Sequence, residues 1–131
     1  MEKVFRTMQF GRQLSNELLN KEFLNLCEKF KHLPVIVEGL KDKQALQVFG
    51  FENIFMINKP LFRIIEELSR FEEVLILTDL DNAGRKLYSV LKSELSYRGV
   101  RVNDCLRHFL FRTKHRQVEA LKNVFSSSKN F

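Results

Sequence analysis

Four short apolar runs alternate along this chain with longer amphipathic stretches, and this alternation restricts the fold more than any other feature. The runs read PVIV at 34–37, NIFMIN at 53–58, VLILT at 74–78 and VRVND at 100–104. Short runs rich in branched apolar residues are typical of buried parallel strands. Strands that alternate with helices predict a parallel sheet whose right-handed crossover connections place helices on both faces.

Apolar residues that recur at three- and four-residue spacing predict the helices between these strands. The helices are expected over about residues 12–33, 42–49, 61–68 and 82–98, with a final helix at QVEALKNVF, residues 117–125. Pro34 ends the first helix, because the residue before a proline is driven out of the α-helical conformation. We therefore expect an α/β fold with a four-stranded parallel, Rossmann-like sheet, helices on both faces and an N-terminal helix.

A chain of 131 residues has room for one domain, which we divide into three parts. Residues 1–33 are expected to form a helical extension packed on the domain, residues 34–104 its core, and residues 105–131 a basic segment with the final helix. The apolar face of the first helix suits packing on the sheet, on a protein partner or on a second copy of the chain.

Charge is unevenly distributed along the chain. It carries 22 Lys and Arg against 16 Asp and Glu, a formal net charge of +6, and seven of the basic residues fall in 101–131 with two acids. This excess favours a polyanionic partner. No apolar run approaches the ~20 residues that span a bilayer. Because the two cysteines are far apart in sequence and fit a reducing compartment, we expect a cytoplasmic protein that does not contact membranes.

Carboxylates stand where two of the predicted strands end. Glu38 directly follows PVIV, and Asp79 follows VLILT, with Asp81 two residues later. If the first and third strands are neighbours, in the order 2-1-3-4, the strand order reverses between them, and ligands of open parallel sheets bind at such a point. Three converging carboxylates repel one another without a cation, and oxygen ligands of this kind suit Mg²⁺.

Three other interpretations of Asp79 and Asp81 compete with a metal site. An EF-hand calcium loop starting at Asp79 fails, because Ala83 and Val90 occupy positions that need oxygen ligands. A haloacid-dehalogenase-type phosphatase would use Asp79 as its nucleophile, but it normally continues with Gly-Thr where this chain has Asn82 and Ala83. An aspartate before a helix is also a common N-cap, and this interpretation stays open for each aspartate taken alone.

The ends of these strands resemble the Toprim domain, which is shared by bacterial primases, topoisomerases and the ribonucleases that mature 5S ribosomal RNA. The pattern of that family is an apolar strand ending in Glu and a later one ending in DxD, here VIVEG and LILTDLD. EGLKDKQAL resembles the primase-type EGxxDxxAL, and DLDNAGRKL resembles DxDxAGRxA. The resemblance covers about residues 34–104, so the chain is similar to a small stand-alone Toprim protein.

The resemblance implies phosphodiester or nucleotidyl chemistry that depends on Mg²⁺, or on Mn²⁺ in its place. It implies that Glu38 is the general acid or base and a metal ligand, and that Asp79 and Asp81 are the main metal ligands. It assigns supporting roles to three further residues of the two motifs: Gly39, Asp42 and Gly84.

Basic residues near the acids and after them in sequence are candidates for holding a phosphate backbone. The candidates are Lys41, Arg85, Lys86, Arg112, Lys114 and Arg116. Arg107 and the histidines His108 and His115 belong to the same basic stretch near the C-terminus. The 13 phenylalanines are instead expected mostly in the core, because they keep helical spacing.

We expect a Mg²⁺-dependent nuclease that resembles the 5S rRNA maturation ribonucleases and acts on RNA or single-stranded DNA. A primase-like nucleotidyl transferase and a non-catalytic nucleic-acid-binding module are the alternatives. The presence of all three acids, Glu38, Asp79 and Asp81, favours catalysis over binding alone.

Overall fold

The computed structural model describes the backbone of residues 8–113 and the side chains of Leu18 and residues 20–113. Five helices alternate with four strands in this region. In chain order the elements are α1 (Met8–Phe30), β1 (Val35–Val37), α2 (Leu40–Val48), β2 (Ile54–Met56), α3 (Leu61–Leu68), β3 (Glu73–Ile76), α4 (Asn82–Tyr97), β4 (Arg101–Asn103) and α5 (Cys105–Arg112).

The four strands form one parallel sheet in the order β2-β1-β3-β4. Val35 on β1 lies opposite Ile54 on one side and opposite Leu75 on the other, so β1 and β3 are the two central strands. Both the fold class and the predicted strand order are confirmed. Residues 35–37 of β1 and residues 74–76 of β3 are buried on both faces, which explains why they are apolar rather than alternating. Glu73, at the start of β3, is the exception within these two strands.

Side chains on the two faces of the sheet fill two separate cores. On β1, Val35 and Val37 point into one core, and Ile36 points into the other. Helices α1, α2 and α5 cover the first face, whereas α3 and α4 cover the second. The carboxyl ends of the strands emerge between these two helical layers, where the predicted acids stand.

The apolar face of α1 packs on the sheet side of the domain. Phe23 and Cys27 are almost fully buried, and the Phe23 ring lies 5.0 Å from the ring of Phe49 and 5.7 Å from that of Phe109, centroid to centroid. In the described part of α1, this face is therefore covered by the domain itself, which is one of the packing partners expected for it. The helix spans 23 residues, yet within the described region neither α1 nor any other helix is long and apolar enough to cross a membrane.

The helix α5 differs from the prediction, which treated residues 105–112 only as part of a basic segment. Leu106, Phe109 and Leu110 recur at helical spacing and are buried, and the basic residues between them hid this pattern. The final helix expected over residues 117–125 lies outside the described residues.

The buried stripe of α4 also differs from the predicted one. Helical spacing over residues 82–98 predicts an apolar face of Ala83, Leu87, Val90, Leu91 and Leu95, but Ala83 is exposed and Val90 is 47% exposed. The inward positions follow a four-three-four spacing instead: Gly84, Tyr88, Leu91 and Leu95. Ala83 and Val90 sit one position to the side, because the close approach of Gly84 to the sheet sets the rotation of the helix.

Most phenylalanines of the described region lie in or against the two cores, as expected. Phe62 and Phe111 are exceptions, with 63% and 54% of their surface exposed. Phe62 lies on α3 and Phe111 near the end of α5. The core interpretation is therefore wrong for these two residues, whose helical spacing alone did not reveal which face of the helix they occupy.

Phe23→Ala is expected to lower the free energy of unfolding by about 3–5 kcal/mol, because it removes a buried ring from the core. Urea unfolding followed by circular dichroism measures the change. Leu24→Ala is the control, since this neighbouring residue of α1 is 44% exposed, and it should cost less than about 1 kcal/mol. Equal losses in the two variants would contradict the packing of α1 on the sheet.

Candidate functional site

Glu38 and Asp79 meet at the carboxyl ends of the two central strands. Ile36 of β1 lies opposite Ile76 of β3, so the residues after these strands emerge at the same edge of the sheet. The Oε2 atom of Glu38 accepts a hydrogen bond from the backbone N–H of Asp79 at 2.7 Å. The two acids are thus brought together across 41 positions of sequence, at the point where the strand order reverses.

The Asp79 carboxyl is strongly perturbed by its surroundings. Burial, together with the negative charges of Glu38, Asp42 and Asp81 and a hydrogen bond with the Glu38 side chain, raises the pKa of Asp79 to about 7. The carboxylates of this acidic cluster, Glu38, Asp42, Asp79 and Asp81, therefore repel one another when all are ionised. A proton relieves this repulsion, and so would a bound cation.

Asp42 is buried beside this pair and stabilises the start of α2. Its Oδ2 atom accepts a hydrogen bond from the backbone N–H of Gly39 at 3.2 Å. A carboxylate in the first turn of a helix also interacts favourably with the helix dipole. Asp42 thus fixes the turn that follows Glu38 while its charge acts on Asp79.

Asp81 caps α4. Its Oδ1 atom accepts a hydrogen bond from the backbone N–H of Gly84 at 2.8 Å, so the capping interpretation left open by the sequence applies to this residue. The side chain is exposed. Asp81 therefore stands at the edge of the acidic cluster rather than at its centre.

The acids fit a Mg²⁺ ion in chemistry, although no preformed metal cage is present. Across the described side chains, no group of three or more His, Cys, Asp or Glu residues is arranged to hold a metal ion. Mg²⁺, however, binds proteins through one or two carboxylates and keeps several waters for substrate phosphates. The raised pKa of Asp79 reports crowded negative charge beside Glu38, and a divalent cation suits such a donor set.

Gly84 lets α4 approach the backbone of Asp79 more closely than any side chain would permit. A Cβ atom built on Gly84 would lie 1.9 Å from the carbonyl oxygen of Asp79 and 2.8 Å from its nitrogen. The hydroxyl of Thr78 donates a hydrogen bond to the carbonyl of Gly84 at 2.7 Å. The end of β3 and the first turn of α4 are therefore held together as one unit. Gly39, by contrast, faces open space.

Arg107 is buried and binds Thr78, next to Asp79. Its assignment to a basic nucleic-acid-binding surface is therefore wrong. It is 6% exposed, and its Nη1 atom donates to the carbonyl oxygen of Thr78 at 2.8 Å and to its hydroxyl at 3.1 Å. The guanidinium lies 4.2 Å from the centre of the Tyr88 ring. Burial lowers the pKa of Arg107, but an arginine stays charged at neutral pH.

Asp104 adds a fifth carboxylate at this edge of the sheet, directly after β4, and sequence reasoning missed its role. Its Oδ2 atom accepts a hydrogen bond from Lys92 Nζ at 2.7 Å, and the same nitrogen lies 3.0 Å from the Tyr88 hydroxyl. This pairing raises the pKa of Lys92. Asp104 is thus neutralised by a lysine two turns into α4, unlike Glu38 and Asp79. Only the fold brings Lys92 to it, so no local sequence signal reveals the pair.

The predicted basic residues and histidines fall into three groups: those near the acids, those on α5 and those outside the described residues. Lys41, Arg85 and Lys86 are exposed at the starts of α2 and α4, the helices that follow the acidic strand ends. Arg112 is 63% exposed and pairs with Glu22 of α1 at 2.9 Å. His108 is exposed on α5. Three further predicted candidates lie outside the described residues: Lys114, His115 and Arg116.

Comparison with known proteins places the chain among relatives of similar length. It is 36% identical over 114 residues to the UPF0292 protein of Methanocaldococcus jannaschii, covering 81% of this chain and 89% of that protein. The chain belongs to the UPF0292 family. The family member of Thermococcus gammatolerans is 36% identical over 109 residues, covering 80% and 82% of the two chains. No family model matches the chain.

A solved structure supports the architecture. The chain matches a protein of Aquifex aeolicus with a TM-score of 0.70 and 28% identity, over 76% of this chain and 95% of that one. The name UPF0292 states no activity.

Gly84→Ala is expected to lower the free energy of unfolding by ~3 kcal/mol or more, because the added methyl group meets backbone atoms that cannot move aside. Gly39→Ala is the matched control. Its Cβ would meet nothing within 4 Å, so it should cost less than about 1 kcal/mol. Thermal and urea unfolding measure the stability of the two variants. If Gly84→Ala is as stable as the wild type, the close approach of α4 to Asp79 is refuted.

The raised pKa of Asp79 predicts the direction in which stability changes with pH. An aspartate titrates near 3.9 in an unfolded chain, whereas Asp79 titrates at about 7 in the folded protein. The folded state therefore holds this proton more tightly. Its contribution to the free energy of unfolding is present at low pH and is lost as the pH rises from about 4 to 7.

At pH 8 the ionised Asp79 is repelled by Glu38 and Asp42 in the folded state. Asp79→Asn removes this repulsion and should be more stable than the wild type in metal-free buffer at this pH, by about 1 kcal/mol. The gain is small because water reaches this half-buried carboxylate. Asp81→Asn is the control, since asparagine also caps helices and Asp81 contributes least to the raised pKa. Urea unfolding between pH 5 and pH 8 measures both variants. A wild type that gains stability with rising pH relative to Asp79→Asn contradicts the prediction.

Proposed function

We propose that this UPF0292 protein is a Mg²⁺-dependent nuclease that cleaves phosphodiester bonds in RNA or single-stranded DNA. The observation that carries the proposal is the hydrogen bond from the Asp79 N–H to Glu38 at 2.7 Å, which joins two acids at the switch point of the sheet. The resemblance of VIVEG and LILTDLD to the Toprim pattern supports the same chemistry.

Glu38 and Asp79 are the residues that would hold the metal, with Asp81 at the edge of the cluster. A bound Mg²⁺ supplies stabilisation of the negative charge that develops on the phosphate and on the leaving oxygen. Glu38 is oriented by the backbone of Asp79 and is the group proposed to move a proton as general acid or base. Asp42 and Arg107 hold the two strand ends in place and touch no substrate in this proposal.

The start of α4 offers positive charge beside these acids. Arg85 and Lys86 are exposed in its first turns, and the amino terminus of a helix itself favours anions. A phosphate backbone that lies across the acidic edge would meet both. This arrangement gives the acidic cluster and the basic residues a common substrate.

We assign this activity to the cytoplasm. Cys27 and Cys105 are both free thiols, as expected in a reducing compartment. Burial raises the pKa of Cys27 to about 12, so this thiol is unreactive and serves the core.

Glu38→Gln tests the proposal directly. It should reduce Mg²⁺-dependent cleavage of labelled RNA and single-stranded DNA by roughly 100-fold or more, the usual contribution of a general acid or base. Gel analysis of the products measures the rate, with and without Mg²⁺ or Mn²⁺. Glu52→Gln is the matched control, because this exposed glutamate precedes β2 at the opposite edge of the sheet, and it should cleave like the wild type.

Two results contradict the proposal. Binding of oligonucleotides without turnover of any substrate would leave a binding module. Synthesis of new oligonucleotides from nucleoside triphosphates on a template, lost in Glu38→Gln, would identify a primase-like nucleotidyl transferase instead.

A further inference from the structure

A shallow groove of about 610 Å³ runs along α4 away from the acidic edge. Among the described residues, its lining consists of Asn82, Arg85, Lys86, Ser89 and Val90. These positions share one face over the first two turns of the helix. The groove begins at Asn82, the residue that follows the Asp81 cap, so it starts next to the acidic site in sequence.

An exposed aromatic ring lies next to this groove. Phe111 on α5 is 54% exposed, and the guanidinium carbon of Arg85 lies 5.3 Å from the centre of its ring. Its helix neighbour Phe109 is only 1% exposed, so α5 places one ring in the core and one on the surface. Arg85 links the groove to the ring, because it belongs to both.

The charge of this surface suits a polyanion. Arg85 and Lys86 are exposed, and the described lining of the groove contains no acid. The remaining lining groups are the amide of Asn82, the hydroxyl of Ser89 and the half-exposed side chain of Val90. Positive charge beside an exposed ring is the combination with which proteins hold single-stranded nucleic acids, whose unpaired bases stack on aromatic side chains.

We propose that this surface, formed by the α4 groove and Phe111, binds single-stranded nucleic acid, with a base stacked on Phe111 and neighbouring phosphates held by Arg85 and Lys86. The inference rests on the proposed function and narrows its substrate class. A duplex keeps the faces of its bases covered by their neighbours, so it cannot stack on Phe111. An unpaired strand leaves these faces accessible and continues along the groove to the acidic edge.

Phe111→Ala should weaken binding of a single-stranded oligonucleotide about tenfold, the loss expected for one stacked base. It should leave binding of a blunt-ended duplex without unpaired bases unchanged. Fluorescence anisotropy with labelled dT and U oligomers measures the affinity in a Glu38→Gln background with Mg²⁺, so that the strand stays intact. Phe62→Ala is the matched control, since this ring is 63% exposed on α3, which carries none of the groove residues, and it should bind like the parent protein.

Two further variants separate stacking from other contributions. Phe111→Tyr keeps an aromatic face and should retain the affinity, whereas Phe111→Leu keeps apolar surface without that face and should behave like alanine. Arg85→Gln should weaken binding of both single strands and duplex, and should reduce the dependence of the affinity on salt.

An unchanged single-strand affinity in Phe111→Ala overturns the inference. So does a change in oligomeric state without a change in affinity, which would make Phe111 a contact between copies of the chain. Weakened binding in Phe111→Ala supports the inference even where the wild type cleaves nothing. Cleavage that depends on Glu38 but not on Phe111 supports the proposed nuclease activity and contradicts binding at Phe111. The experiments therefore distinguish failure of the binding surface from failure of the nuclease activity.

Discussion

The adjacency of β1 and β3, closed by the hydrogen bond from the Asp79 N–H to Glu38, is the constraint on which the rest of the structure depends. It forces two carboxylates together where water is partly excluded. The fold offsets the resulting repulsion by holding the backbone of β3 from two sides. Gly84 lets α4 pack against the backbone of Asp79, and Arg107 donates a hydrogen bond to the carbonyl oxygen of Thr78. The acids stay close because the main chain is fixed and because Glu38 is hydrogen-bonded to Asp79.

Much of this could be predicted from the sequence because the signals are local. Apolar runs marked the strands, and the rule that parallel strands are joined by helical crossovers left few possible sheets. Glu38 and Asp79 could be placed because Glu38 directly follows β1 and Asp79 comes three residues after the end of β3. Asp81 could not be assigned, since capping a helix and binding a metal use the same side chain at the same position. The hydrogen bond from the Gly84 N–H shows the capping role of Asp81 in the structure, and its role as a metal ligand stays a prediction.

The features that sequence reasoning missed depend on contacts between distant segments. Arg107 looked like one charge of a basic stretch, and only the packing of α5 turns it toward Thr78. Asp104 and Lys92 lie 12 positions apart and form a pair that no motif describes. Phe109 and Phe111 are two residues apart, yet one is buried and the other exposed. Composition and periodicity cannot distinguish such neighbours unless the orientation of the helix is known.

The placement of Arg107 on α5 also bears on how much chain makes up a complete working unit. The Toprim-like motifs end before residue 104, but the first face of the sheet is covered by α1 and α5, which lie on either side of that segment. A segment cut at its motifs would lose the side chains of α1 and α5 that pack in the first core, and Thr78 would lose its hydrogen bonds from Arg107. Grafting this acidic edge onto another protein therefore requires carrying over both flanking helices, since one closes the core and the other also sets the geometry of the acids.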